Sequence, residues 1–488
     1  METARVAIIH RDIYIYPDKD SVIAVCKKDK RKVKDTEYNN HIFEMIKEGL
    51  HILGLDDNRY NSSQWNPLGK YITPGDTVLL KPNLVMDHNP NGGNTDCLYT
   101  HPSVVAAVIE FVLVALEGKG KIIVGDAPMQ ECNFERLISE SGYRDIISCF
   151  QQDSGDVEIV LKDFRELKTD VVDNIYHQHV SVDQKGIEVR LDADSEFWGM
   201  DADVFRRLRV TNYDPDMMYK HHNPERCEYY ISKDVLDSDV IINLPKPKTH
   251  RKAGVTIALK NLVGINARKE YLPHHAVGSK TENGDEYLNA LWLKRVRSQL
   301  LDIKNRLNSQ NKFKTVKIIN FFIRCFSFTS RKIEKDNYRE GSWYGNDTIS
   351  KTIVDLNKII LYADKSGTMK KERQRKYLAI GDMIVSGEGE GPVEPSPKDV
   401  GIIAISDDPV AFDSVVATIM GADLEKIPTI KHASRPKGKY ALTSCDNIEV
   451  VSNDNRWDYL DINDPEKEAL LYYKPTSGWT SAFKNKAE

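Results

Sequence analysis

Lysines, carboxylates and one histidine recur at equivalent points of this sequence, each just beyond a short apolar run. Residues 77–80 are followed by Lys81-Pro82-Asn83, and residues 121–124 by Gly125-Asp126. Residues 240–244 are followed by Pro245-Lys246-Pro247-Lys248-Thr249-His250, and residues 401–405 by Ser406-Asp407-Asp408. Lys81, Lys246, Lys248 and Lys260 are cations of the kind that hold phosphate or carboxylate. Asp126 and Asp408, with Asp413, offer hard oxygen ligands for a magnesium-like divalent cation bridging substrate oxygens. Among the side chains here His250 titrates nearest neutrality, which makes it the candidate general acid or base. Lys260 joins it as a catalytic candidate, because an ammonium inside the mostly apolar stretch 256–263 must reach water or meet an anion. Asn83, His101 and Asn261 would supply further hydrogen bonds to a substrate.

The stretch Ser386-Gly387-Glu388-Gly389-Glu390-Gly391-Pro392 adds two more carboxylates. Its alternating glycines predict a loop, neither helix nor packed strand, that presents Glu388 and Glu390 to a ligand. It lacks the Gly-Lys-Ser/Thr end of a phosphate-binding P-loop. With Asp126 and Asp408 these glutamates complete the expected metal-binding set.

The elements that must position these groups read as an α/β fold, with a mainly parallel, Rossmann-like sheet, helices on both faces and inserted elements. Strand 77–80, a helix opened by Pro102 and ended near Gly118, and strand 121–124 form a βαβ crossover, which implies a parallel sheet. Runs 240–244 and 401–405 read as further buried strands, the second leading into a helix over 410–420. In an open parallel sheet ligands bind beyond the carboxyl ends of the strands, so all four strand ends are expected to converge on one crevice. The chain divides into five parts: 1–150, an N-terminal α/β part; 151–235, a polar β-rich elaboration; 236–290, the Lys/His block; 291–345, a basic aromatic insertion; and 346–488, a C-terminal α/β part with the Gly/Glu loop. The last dozen residues are expected to be poorly ordered.

The net charge of −5 argues against a nucleic-acid partner needing a uniformly basic face. The seven cysteines are scattered with no C-x-x-C, so no iron–sulfur cluster, zinc ribbon or thioredoxin motif is expected. Reduced thiols, the charged residues near Met1 and the lack of any eighteen-residue apolar run point to a cytoplasmic protein. Residues 291–340 stand apart, with thirteen Lys/Arg against four Asp/Glu. Within them 312–332 interleaves phenylalanines and isoleucines with Lys314, Lys317, Arg324 and Arg331. Such a helix either packs on its own domain or lies on an anionic membrane surface or acidic partner, which would place the protein at the inner membrane face.

The block Pro245-Lys246-Pro247-Lys248-Thr249-His250, running into Gly254-Val255-Thr256 and Lys260-Asn261-Leu262-Val263-Gly264, resembles the domain of unknown function 362 family. Lys81-Pro82-Asn83-Leu84, Thr100-His101-Pro102, Gly125-Asp126, the 387–392 stretch and Asp408-Pro409-Val410-Ala411-Phe412-Asp413 agree with it, in order, over about 80–425. Many members of that family carry a ferredoxin-like cysteine module, which this chain lacks. The resemblance implies a fold and site positions but no reaction. Taken together, the expectation is a metal-assisted enzyme acting on an anionic small molecule or glycan precursor, phosphorylated or carboxylated, with a divalent cation such as magnesium as cofactor. The competing expectations are a non-catalytic binding or accessory protein docked on a membrane-surface or protein assembly, and a redox accessory protein.

Overall fold

A computed structural model describes residues 3–26, 41–172, 175–333 and 338–485. Ten strands share one sheet: β1 (Thr3–His10), β2 (Thr77–Pro82), β3 (Lys121–Asp126), β4 (Glu158–Asp163), β5 (Val240–Leu244), β6 (Lys248–His250), β7 (Gly254–Thr256), β8 (Lys376–Glu390), β9 (Glu394–Ser406) and β10 (Asn447–Ser452). Their order is β10-β1-β9-β8-β5-β2-β3-β4, with β6 paired to both β7 and β8. The block β8-β5-β2-β3-β4 is parallel throughout. The principal helices are α1 (His41–Ile52), α2 (Pro102–Leu116), α3 (Ala258–Asn261), α4 (Trp292–Ser309), α5 (Phe313–Ile333), α6 (Thr348–Tyr362) and α7 (Pro409–Ile419).

The apolar runs form these strands because helices cover the sheet on both sides. Val78 and Leu80 face one core with α1 and α2, while Leu79 and Ile241 face the other with α6 and α7. A strand buried on both faces reads as a continuous apolar run, and every residue of β5 is buried. The fold is therefore α/β with a mostly parallel sheet, as its patterning implied.

Strand β9 is the exception to convergence. It pairs antiparallel with β8, Ala379 opposite Ser406, so its carboxyl end lies beside the amino ends of β8 and β5. Residues 401–405 are a buried strand as expected, but they run opposite to the others and deliver Asp407 and Asp408 to the far edge of the sheet. Periodicity reports burial and not direction, which is why the apolar run could not reveal this.

The Gly/Glu stretch is also not a loop. Gly387, Glu388, Gly389 and Glu390 belong to β8 and pair with Pro397, Ser396, Pro395 and Glu394 of β9. The glycines serve close approach: a β-carbon on Gly387 would lie 2.8 Å from Cβ of Lys248, and one on Gly391 would lie 2.0 Å from the Thr249 carbonyl oxygen. Both contacts press the arm formed by β8 and β9 against β6.

The polar stretch 151–235 contributes β4 to the main sheet and also three smaller ladders, one pairing Leu167–Val172 with Ile175–Val180, and two in which Arg226–Ser232 pairs with Gly186–Arg190 and with His222–Asn223. The expected disorder of the last dozen residues is not found up to residue 485. Trp479 is fully buried against Gly254, and its indole N–H donates to the Arg251 carbonyl at 2.8 Å.

Candidate functional site

The carboxyl ends of β2, β3 and β5 do converge, and between them lies a cavity of about 290 Å³. Its walls include Asn83, Asp126, Lys248, His250, Lys260 and Asn261, six of the residues singled out in the sequence. Strand β5 leads into Pro245 and Pro247, and the chain re-enters the sheet as β6, which carries Lys248 and His250. β7 then turns back along β6, Lys248 opposite Thr256, and leads into α3, which carries Lys260 and Asn261.

A buried chain of amides forms the floor. Lys248 Nζ donates to Asn83 Oδ1 at 2.8 Å, and to the Leu98 carbonyl. Asn83 Nδ2 donates to Asn261 Oδ1 at 3.0 Å, and Asn261 Nδ2 to Asn243 Oδ1 at 2.7 Å. Asn243 Nδ2 in turn donates to Tyr377 Oη at 2.9 Å. Beside this chain Lys81 is buried in an ion pair with Asp126, 2.7 Å apart, and Asp126 Oδ2 accepts from the Leu84 amide at 2.7 Å. Such a paired and hydrogen-bonded charge fixes geometry more than it adds stability.

The cations exceed the acids. Lys252, Lys269 and Arg251 also line the cavity. Lys252 Nζ donates to Thr211 Oγ1 at 3.1 Å and Lys269 Nζ to the Ala127 carbonyl at 2.8 Å. Burial pushes Lys248 and Lys269 down to about 7, and Lys252 and Lys260 down to about 8, with repulsion among neighbouring cations adding to the effect. Lys260 alone of these lysines has no hydrogen-bond or ion-pair partner among the described residues. Glu340, which also lines the cavity, is held ionised: burial would raise it, but Arg297, Lys252 and His275 outweigh that and lower it.

Two histidines face this charge in opposite tautomers. His250 Nδ1 accepts the amide N–H groups of Lys252 and Ala253 at 3.0 and 3.1 Å, so its proton sits on Nε2. Burial, reinforced by Lys260, Arg251 and Lys252, drives its pKa well below the ordinary histidine value. His274 contacts the Leu272 carbonyl through Nδ1 at 2.7 Å, which places its proton there and leaves Nε2 as an acceptor. Burial likewise lowers His274. His250 is thus a neutral donor.

The other expected residues lie elsewhere. Lys246 is fully buried, donating to Tyr16 Oη at 2.5 Å and to Asp382 Oδ2 at 3.0 Å. His101 stacks on Tyr16 with ring centroids 4.0 Å apart, and its Nδ1 caps α2 by accepting from the Ser103 amide. Glu388 pairs with Lys398 at 3.3 Å and accepts from the Lys474 amide, while Glu390 accepts from the Ser477 amide, so both hold the C-terminal segment. Asp408 caps α7 through the Val410 and Ala411 amides at the far edge of the sheet. Asp413 accepts from the Ala258 and Leu259 amides and so anchors α3. Of the four carboxylates expected to share a cation, only Asp126 borders the cavity. Among the described residues one group of three potential metal ligands clusters, Glu188, His221 and Glu228, away from this cavity. Its His221 Nδ1 already lies 2.8 Å from Glu228 Oε1, and Tyr271 donates to Glu188.

Sequence reasoning missed Asn243, Lys252, Lys269, His274 and Glu340. Asn243 had a signal, an amide inside an otherwise apolar strand; the others sit on irregular segments with none.

A family model described as "Domain of unknown function (DUF362)" matches residues 78–181 and 198–418. The chain is also 24% identical over 369 residues to the thylakoid-associated protein sll1697 of Synechocystis sp. (strain ATCC 27184 / PCC 6803 / Kazusa), spanning 75% of this chain and 70% of that protein.

Proposed function

The chain belongs to the domain of unknown function 362 family, and from that premise we propose that it is an enzyme acting on a small phosphorylated or carboxylated molecule bound in the lysine-rich cavity. The observation that carries this reading is Lys260: an ammonium with no polar partner among the described residues, bordering a cavity where Lys248, Lys252 and Lys269 are already satisfied by neutral acceptors. The lysines and Arg251 outnumber the carboxylates Asp126, Glu131 and Glu340 on the cavity walls, and such an excess of positive charge is completed by an anion. A volume near 290 Å³ suits a small molecule and not a polymer segment.

Each group then has a part. Lys252 and Lys260 neutralise the anion, and His250 donates from Nε2 to one of its oxygens. Lys260, lowered to about 8, exchanges a proton at working pH far more readily than an ordinary lysine. Each carboxylate that borders the cavity is already engaged, Asp126 by Lys81, Glu131 by Tyr176 and Glu340 by Arg297, so the reading rests on the lysines and not on a divalent cation. Six cysteines among the described residues are free, which supports a reducing, cytoplasmic setting.

The test is calorimetric titration with inorganic phosphate and with sulfate, wild type beside Lys260→Met. Saturable binding weakened at least tenfold in the variant is expected. Phosphomonoesters and carboxylic acids that compete with sulfate for the site are then followed by NMR for turnover. No anion binding, or binding indifferent to Lys260, overturns the site; binding of every anion without turnover favours an accessory binding protein instead.

A further inference from the structure

Helix α5 carries an exposed apolar stripe that nothing in the described chain covers. Ile318, Phe321, Phe322 and Cys325 follow the i, i+3, i+4, i+7 spacing of one helix face. Ile318, Phe321 and Phe322 are 59%, 65% and 49% exposed, and Cys325 is exposed too. The opposite side of the helix is already used: Val316 is buried and Phe313 packs on the His177 ring, centroids 4.4 Å apart. The helix lies along α4, so the hairpin of α4 and α5 turns its aromatic stripe away from the core. Monomeric soluble proteins rarely leave such a patch bare.

Charge decides what covers it. The sequence Phe313–Ile333 holds Lys314, Lys317, Arg324, Arg331 and Lys332 and no acidic residue. Lys314, Lys317 and Arg324 are exposed beside the stripe; the side chains of Arg331 and Lys332 lie outside the described residues. The chain as a whole is net negative, so α5, like its neighbour α4, is a local reversal of sign. No helix among the described residues is long and apolar enough to cross a membrane. An apolar face flanked by cations, too polar to insert, fits the boundary between acyl chains and anionic headgroups. We propose that α5 docks the protein on an anionic lipid surface, with Ile318, Phe321 and Phe322 entering the interface and Lys314, Lys317 and Arg324 meeting lipid phosphates. This is independent of the cavity and of its chemistry.

The experiment is co-sedimentation of the full chain with vesicles of phosphatidylglycerol in phosphatidylcholine, beside vesicles of phosphatidylcholine alone. Binding to the anionic vesicles only is expected, weakened by added salt. The Phe321→Ser, Phe322→Ser double variant should lose at least tenfold in partitioning, and the Lys314→Gln, Arg324→Gln double variant severalfold, with melting temperatures unchanged because all four positions are exposed. An environment-sensitive fluorophore on Cys325 should shift to the blue on binding. Absence of binding to anionic vesicles, or binding untouched by both double variants, overturns the proposal. So does a dimer in sedimentation velocity that Phe321→Ser, Phe322→Ser dissociates, since a second copy would then be what covers the stripe.

Discussion

Gly264 and Asp126 touch so closely that no side chain fits between them: a β-carbon on Gly264 would fall 1.8 Å from Asp126 Oδ1 and 2.9 Å from Lys81 Nζ. The backbone there is also tied down, Ala127 N–H donating to the Gly264 carbonyl at 2.9 Å. Gly264→Ala must therefore push the ion pair apart. A loss of about 1–3 kcal/mol is expected in chemical denaturation, together with weaker sulfate binding. A variant as stable as wild type would show that this wall can relax.

Asp126→Asn removes the one charge opposing the buried Lys81 ammonium. Breaking a buried pair from one side costs about 3–5 kcal/mol. Adding Lys81→Met should recover part of that loss, because the stranded charge goes with it. Denaturation of the two variants side by side measures the difference, and strictly additive losses would mean that the pair is not coupled.

The cavity lysines give a pH dependence with a definite sign. Lys248 and Lys269 are lowered to about 7, and Lys252 and Lys260 to about 8, from an ordinary 10.5. Between those lowered values and 10.5 the unfolded chain binds more protons than the folded one, so these groups make stability rise with pH across that window. Sulfate, a dianion throughout, should behave oppositely. Its affinity should be greatest below about pH 7 and fall at least tenfold by about pH 9 as the ammoniums discharge. Thermal shift with and without sulfate across this range checks both signs, and a flat response would take the lysines out of the anion site.

Lys252 and Lys260 are both lowered to about 8, so on the proposed reading an ionisation near 8 in a pH–rate profile belongs to one of these lysines and not to His250. Lys260→Met should abolish it and Lys252→Met should leave it in place. His250→Ala should lower the rate roughly a hundredfold to a thousandfold, as loss of one positioned donor does, while leaving the inflection in place. An inflection that moves or vanishes in His250→Ala would restore the histidine as the titrating group.

Lys246→Met should separate structure from binding. Its ion-pair partner Asp382 is fully buried with it, and Tyr16 is half-buried, so a loss of about 3–5 kcal/mol is expected. Sulfate affinity of the folded variant, measured by calorimetry, should stay within about threefold of wild type. A larger drop would return Lys246 to the anion site.

The strands and three of the four strand-end motifs were legible because burial on both faces leaves a continuous apolar run, and because polar residues at a strand end stand out against it. Direction was not legible. Asp408 comes after its strand as Asp126 does, yet β9 runs backwards and carries Asp408 to the other edge of the sheet. Glycine likewise has two readings. At 387–391 it marks the close approach of β6 and not a loop, which depends on a partner strand more than a hundred residues away. Lys246 and Lys248 are two residues apart, and their types are identical. One is consumed by Tyr16 and Asp382, from segments with no periodic relation to it, and the other reaches the cavity. Lys252 and Lys269 were invisible because irregular segments place them.

Strand β1 raises a question of timing. Its neighbours are β9 and β10, with Ala7 opposite Ile405 on one side and Val451 on the other. A ribosome delivers β1 about 400 residues before either neighbour, roughly 20–80 s at ordinary elongation rates. Through that interval Val6, Ala7, Ile8 and Ile9, all buried in the finished fold, have no strand to pair with. The sheet therefore closes at β1 only after most of the chain has been synthesised, and until then this strand has an unpaired, apolar edge.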